Sequence, residues 1–155
     1  MTTTTAGGRH HAGTELRRTP AQLAATAVAV TFLLVGILGF VPGIVTDFDD
    51  MSFAGHDSGA QLLGIFQVSV LHNVVHLLFG VVGLALVSRG ARAATQFLVV
   101  GGVVYLLLAV YGVAIGHDDS SANFIPVNQA DTGLHLGLGI TMIAAGVVTA
   151  RKRAS

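Results

Sequence analysis

LLGIFQVSVLHNVVHLLFGVVGLALV, residues 62–87, runs for 26 residues without an Asp, Glu, Lys or Arg, yet holds His72, Asn73 and His76 well away from its ends. A helix of roughly 20 apolar residues spans the bilayer hydrocarbon, so this stretch is long enough to cross it. Three similar blocks accompany it, at about 20–41, 93–115 and 131–150. Hydrophobic residues make up 52% of the chain and charged ones 10%, a balance that excludes an ordinary soluble domain. Backbone groups in lipid must be bonded within their own segment or to a neighbour, and the alternating pattern of a β-barrel is absent. The expected fold is therefore all-α: a four-span transmembrane bundle over residues 19–153, with residues 1–18 as a disordered cytoplasmic tail. A chain of 155 residues leaves no room for a second domain.

Charge placement sets the expected topology. All eight basic residues fall in the N-terminal segment (Arg9, Arg17, Arg18), the short second connection (Arg89, Arg92) and the C-terminal segment (Arg151, Lys152, Arg153). Asp47, Asp49, Asp50, Asp57, Asp118 and Asp119 occupy the two other loops. The positive-inside rule then puts both termini in the cytoplasm and the protein in the inner (plasma) membrane. The basic clusters are short and juxtamembrane, which fits anionic lipid and gives no nucleic-acid surface. Arg17 and Arg18 precede an apolar run that is too long for a signal-peptide core and lacks a small-x-small site, so the first span reads as a retained anchor. Cysteine is absent, which excludes disulfides and thiolate chemistry.

Local signals place the helix ends. Thr19 before Pro20 suits an N-cap and first turn. Ser58 with Gln61 and Asn128 with Asp131 both have capping-box spacing. Asp131 in a first turn also meets a favourable helix dipole, so it reads as a cap before a catalytic acid. Gly90 suits a sharp turn, making the second and third helices antiparallel neighbours.

Helical phase divides the second span. Ser69, His72, Asn73, His76, Gly80 and Gly83 share one arc, whereas Val70, Val74, Leu77, Leu78 and Val81 lie opposite, as expected for a packed face and a lipid face. Gln67 falls outside the polar arc. Asn128, Asp131, Thr132, His135, Gly139, Met142, Gly146 and Thr149 share a side of the fourth span. Gly101, Tyr105, Gly112 and Gly116 line up in the third; Gly36 and Gly39 of the first read as packing positions. Counting from the cytoplasmic ends at about 1.5 Å per residue puts His72 and His135 at one depth, roughly 22 Å in, with His76 and Tyr105 a turn deeper. A polar cluster near the outer face is expected from His72, Asn73, His76, Tyr105, Asn128, Asp131 and His135.

Three roles fit such a cluster. Imidazoles and amides can fasten helices together or support an interaction. His72 and His76 at i, i+4 with His135 have the donor types for a metal, and facing histidines would suit haem, so a metal ion or haem stands as a candidate cofactor. A titrating histidine can also handle protons or a small solute. No catalytic constellation is present, which weighs against an enzyme. In the loops, His56 with Asp57 and His117 with Asp118 and Asp119 combine imidazole and carboxylate, though solvated acidic loops account for them; His10 and His11 read as solvated tail. Gly112 with Gly116 and Gly133 with Gly137 have the four-residue spacing of helix contacts. The bilayer is the expected partner, with a second copy or another membrane protein left open.

Leu71-His72-Asn73-Val74-Val75-His76-Leu77-Leu78-Phe79-Gly80, the four spans, and Asn128-Gln129-Ala130-Asp131-Thr132-Gly133-Leu134-His135 together resemble the four-helix bacterial membrane family catalogued as domain of unknown function 4383. The resemblance covers nearly all of residues 17–152. It implies the fold and marks His72, Asn73, His76, Asn128, Asp131 and His135 as the positions of interest, but it assigns no reaction.

Overall fold

The computed structural model describes residues 18–115 and 124–154. The expectations placed on the segment 1–17 and on Gly116, His117, Asp118 and Asp119 lie outside the described residues. Four helices carry the fold: α1 (Pro20–Leu38), α2 (Val70–Ser88), α3 (Ala91–Ile115) and α4 (Gln129–Ala154). All four are long and apolar enough to cross a membrane. At 19 residues, α1 and α2 each measure about 28 Å, close to the hydrocarbon thickness.

Thr19 caps α1 with a complete capping box: its hydroxyl accepts from the Gln22 amide, and the Gln22 side chain accepts from the Thr19 amide. Gln22 also donates to the Val87 carbonyl at the far end of α2, tying the two helices together. The helix ends at Leu38, three residues before the expected limit, with Gly39 as its C-cap. Gly90, at φ +111°, makes the turn from α2 into α3, a backbone conformation that side chains resist.

The second helix begins at Val70, not near residue 62. Residues 61–67 instead form a hairpin of β2 (Gln61–Leu62) and β3 (Phe66–Gln67), and β1 (Val45–Thr46) pairs with β2 to make a small antiparallel sheet in the order β1-β2-β3. Leu63 and Gly64 both take positive φ, which reverses the chain where a helix would have continued. Leu62, Val45, Ala60 and Val68 bury against one another as a second, smaller core. This core uses the apolar residues that lengthened the block in the sequence. Ser58 does not cap a helix; it is buried, accepts from the Ser52 amide and donates to the Val68 carbonyl. Ser69 is the α2 N-cap, accepting from the His72 amide.

The bundle is built from two close antiparallel pairs. α1 packs along α2 and α3 along α4, with sparser contact between the pairs. Glycine permits both close approaches. A Cβ added at Gly80 would stand 2.8 Å from the Ala29 carbonyl oxygen, and one at Gly102 would stand 2.8 Å from that of Gly139. Leu77 packs against Gly36 of α1 and so does not face lipid, unlike the exposed Val74, Leu78 and Val81. Gly133 and Gly137 also depart from expectation: a Cβ at either would meet nothing within 4 Å, so this glycine pair is no contact within the chain. The main core gathers Ala25, Ala29 and Phe32 from α1, Phe97, Leu98 and Tyr105 from α3, and Met142 from α4.

The antiparallel arrangement puts Arg18, Arg89, Arg92, Arg151 and Lys152 at one end of the bundle. Asp47, Asp49, Asp50 and Asp57 lie at the other, in the connection that carries the sheet.

The glycine contacts predict a contrast in stability. Gly80→Ala and Gly102→Ala should each destabilise the bundle by about 1–3 kcal/mol through overpacking. Gly133→Ala and Gly137→Ala should be neutral or stabilise by up to about 1 kcal/mol, since they add helix propensity in open space. Reversible unfolding in mixed micelles, run on all four variants, reads the difference directly.

Candidate functional site

The polar residues marked in the sequence fall into three separate groups. Asn73 faces α1: its side-chain amide donates to the Gly39 carbonyl at 2.7 Å, and its Oδ1 is buried without a hydrogen-bond partner among the described residues. Gly39 is glycine for this reason, because a Cβ there would collide with the Asn73 amide. The bond closes the C-terminus of α1 onto α2.

Asn128 and Asp131 form the second group. The Asp131 amide donates to Asn128 Oδ1, and Asp131 Oδ2 accepts from the Asn128 amide, a reciprocal cap at the start of α4. The same carboxylate oxygen accepts from the Gln67 amide at 3.0 Å, and the Asn128 side chain donates to the Ile65 carbonyl. Asp131 is thus both a cap and the strap that holds the β-sheet against α4. Gln67, which the helical phase left off the polar face, completes the strap by donating from its side chain to the His56 and Ser58 carbonyls.

His72, His76, Tyr105 and His135 form the third group. The rings of His72 and His76, one turn apart, stack with centroids 4.3 Å apart and planes 10° from parallel. His76 Nδ1 lies 3.0 Å from the His72 carbonyl oxygen, which can only accept, so this nitrogen carries the proton. In the neutral ring Nε2 is then an acceptor, and the Tyr105 hydroxyl, 3.3 Å away, donates to it. Tyr105 also meets His135 edge to face at 5.1 Å between centroids and stacks on Phe32. His135 is only 4% exposed, and its Nδ1 has no hydrogen-bond partner among the described residues.

This third group lines a cavity of about 210 Å³ between α2, α3 and α4, at the sheet-bearing end of the bundle. Phe79 closes it below, and the chain entering α4, Phe124 to Pro126, closes it above. That roof is held to α3, since the Ile125 amide donates to the Tyr111 hydroxyl and the Phe124 and Tyr111 rings meet. Among the described residues the wall is apolar apart from the histidines, Tyr105 and Ser69, and none of those lining it is an Asp, Glu, Lys or Arg. The apolar lining residues Phe79, Val104, Leu108 and Phe124 were not singled out from the sequence. Nothing in their local pattern separates them from ordinary core or lipid-facing positions.

The expected layer of His72, Asn73 and His135 is therefore divided, with Asn73 turned toward α1 and His135 set against Tyr105. For the metal set His72, His76 and His135, both nitrogens of His76 are already engaged and its ring lies parallel to that of His72, so the lone pairs do not converge on one point. Among the described residues no group of three His, Cys, Asp or Glu side chains is placed to hold a metal ion. In the sheet-bearing loop His56 pairs with the exposed Asp57 at 3.2 Å.

Asp131→Ala should release two partly buried backbone donors and cost about 2 kcal/mol, whereas Asp131→Asn, which keeps an acceptor, should cost about half of that. Amide hydrogen exchange at Gln67 and Asn128 gives the local readout. Both amides should exchange faster in Asp131→Ala, while those of the α1/α2 seam stay protected.

A protein-family model described as Domain of unknown function (DUF4383) matches residues 22–148, and the chain belongs to that family. No curated protein and no solved structure matches the chain.

Proposed function

We propose that this member of a family without an assigned activity is a multi-pass membrane protein that binds a small uncharged molecule in the cavity between α2, α3 and α4. The observation that carries this reading is His135, a buried imidazole on the cavity wall whose Nδ1 lacks a partner among the described residues. A buried polar atom left unpaired costs about 1–3 kcal/mol, and a site that bonds a ligand's polar group can hold that strain in reserve. The volume suits the same conclusion, since an apolar cavity of about 150 Å³ already accepts a benzene ring, and this one is about 210 Å³. None of the described residues on the wall carries a charge to pair with an ionic ligand, which supports an uncharged one.

The rest of the polar cluster fastens helices. Asn73 joins α1 to α2, and Asp131 joins α4 to the sheet. Tyr105 does both jobs, bonding His76 across the α2/α3 seam while forming part of the wall. We place the basic end in the cytoplasm by the positive-inside rule, which sets both termini inside, the protein in the plasma membrane and the cavity in the outer half of the bilayer.

The test is a ligand titration on protein in lipid nanodiscs, with 4-ethylphenol as probe and 4-ethylanisole, which has no hydroxyl proton, as control. The phenol should raise the unfolding temperature saturably, by the amount mass action sets for its affinity, and the ether should raise it less. His135→Leu should abolish the phenol effect while the unliganded protein still unfolds cooperatively. No saturable shift, or an equal shift in His135→Leu, defeats the reading. Stoichiometric metal, or a haem absorbance band lost in His72→Ala and His135→Ala, would replace it with a metal or haem site on the same imidazoles.

A further inference from the structure

The rim of the cavity identifies the compartment that supplies it. Leu71 and Val75 on α2 and Val104 on α3 line the cavity and stay 39%, 45% and 37% exposed. Phe124, which also lines it, is 59% exposed. All four are apolar, and three sit on spans whose outer surface faces lipid. The opening therefore lies in the α2/α3 seam and gives onto hydrocarbon. Packing explains why it is there. Phe79 and Gly83 of α2 meet Phe97 and Gly101 of α3 toward the basic end, whereas from His76 outward the two helices are separated by ring side chains.

Polar chemistry inside the cavity narrows the ligand further. The Tyr105 hydroxyl spends its proton on His76, so its oxygen is left as an acceptor. His135 in its neutral form offers one donor and one acceptor. A ligand hydroxyl, which donates and accepts at once, satisfies both residues. The flanking surfaces are ring faces and edges from His72, His76, Tyr105, Phe79 and Phe124, which pack well against a flat ring. Only a single substituted ring fits the volume, so any longer chain must leave through the seam.

We propose that the cavity takes its ligand from the bilayer and not from water. The ligand is an uncharged amphiphile with a hydroxylated ring, which sits in the cavity against Tyr105 and His135 while its alkyl or isoprenoid chain lies in the α2/α3 seam. This rests on the binding reading above and adds the route and the ligand class. The seam is a portal to the membrane, and Val75 and Val104 are its posts.

The experiment compares 4-nonylphenol with 4-ethylphenol on wild-type protein in nanodiscs and on the double variant Val75→Trp/Val104→Trp, which fills the seam with indoles from exposed positions. Wild type should bind the long-chain phenol at least tenfold more tightly than the short one, each measured against its concentration in the bilayer. The double variant should lose at least tenfold more affinity for 4-nonylphenol than for 4-ethylphenol. Leu78→Trp, at an exposed position of α2 that does not line the cavity, should bind both as wild type does. Equal binding of the two phenols by wild type, or unchanged 4-nonylphenol binding by the double variant, overturns the membrane route while leaving the cavity as a binding site. Binding of neither phenol by wild type overturns both.

Discussion

Close backbone approach at a few glycines is the constraint from which the rest of the bundle follows. In lipid no solvent drives apolar helices together, so association depends on packing and on the few polar bonds that cross between helices. Gly36 and Gly80 bring α1 against α2; Gly102 and Gly139 bring α3 against α4, each with carbonyl oxygens where a side chain would otherwise stand. Once the helices are paired two by two, the seam between the pairs must be filled by larger groups. Phe79, Phe97 and Tyr105 fill its lower part. Nearer the sheet, His76 reaches Tyr105 while the His72 ring stacks on His76 along α2, and space remains.

The sheet-bearing loop has a definite part in that geometry. Asp131 Oδ2 receives amide protons from Asn128 and Gln67, so one buried carboxylate starts α4 and anchors the loop that follows α1. The Asn73 side chain holds the other end of the same loop by its bond to Gly39. Between these two anchors the small core of Val45, Ala60, Leu62 and Val68 gives the loop its own interior. The start of α4, and with it His135 one turn inward, is thereby set in place against Tyr105.

Polar residues in the spans are consequently of two kinds. Asn73 and Asp131 satisfy backbone groups that would otherwise be orphaned, a role any membrane bundle needs at its irregular ends. His76 and Tyr105 satisfy each other, and His135, on the cavity wall, keeps a buried nitrogen without a partner among the described residues. Position on the cavity wall separates binding from fastening here, since neither burial nor an unpaired atom does: Asn73, Asp131 and His135 are all nearly inaccessible, and Asn73 Oδ1, like His135 Nδ1, has no partner among the described residues.

Composition and apolar block length by themselves determined that the chain has four helices long and apolar enough to cross a membrane, because a bilayer admits few backbone solutions and each leaves a long signal. Thr19, Gly90 and the inward side of α4 were legible for the same reason: caps, turns and helical phase act within a few residues. The hairpin at 61–67 was not, since its apolar residues continue the pattern of the span and only the positive φ of Leu63 and Gly64 turns the chain away. Nor could phase decide which neighbour each residue meets. His72, Asn73 and His76 share one arc of α2, yet Asn73 turns to α1 and the histidines to the cavity, because the arc straddles two seams. Gly133 and Gly137 carry the contact spacing but meet nothing within the chain, whereas Gly102 and Gly139, which no local spacing links, touch. Which glycines meet, and therefore where the bundle stays open, is a property of pairing between distant segments, and only the tertiary structure decides it.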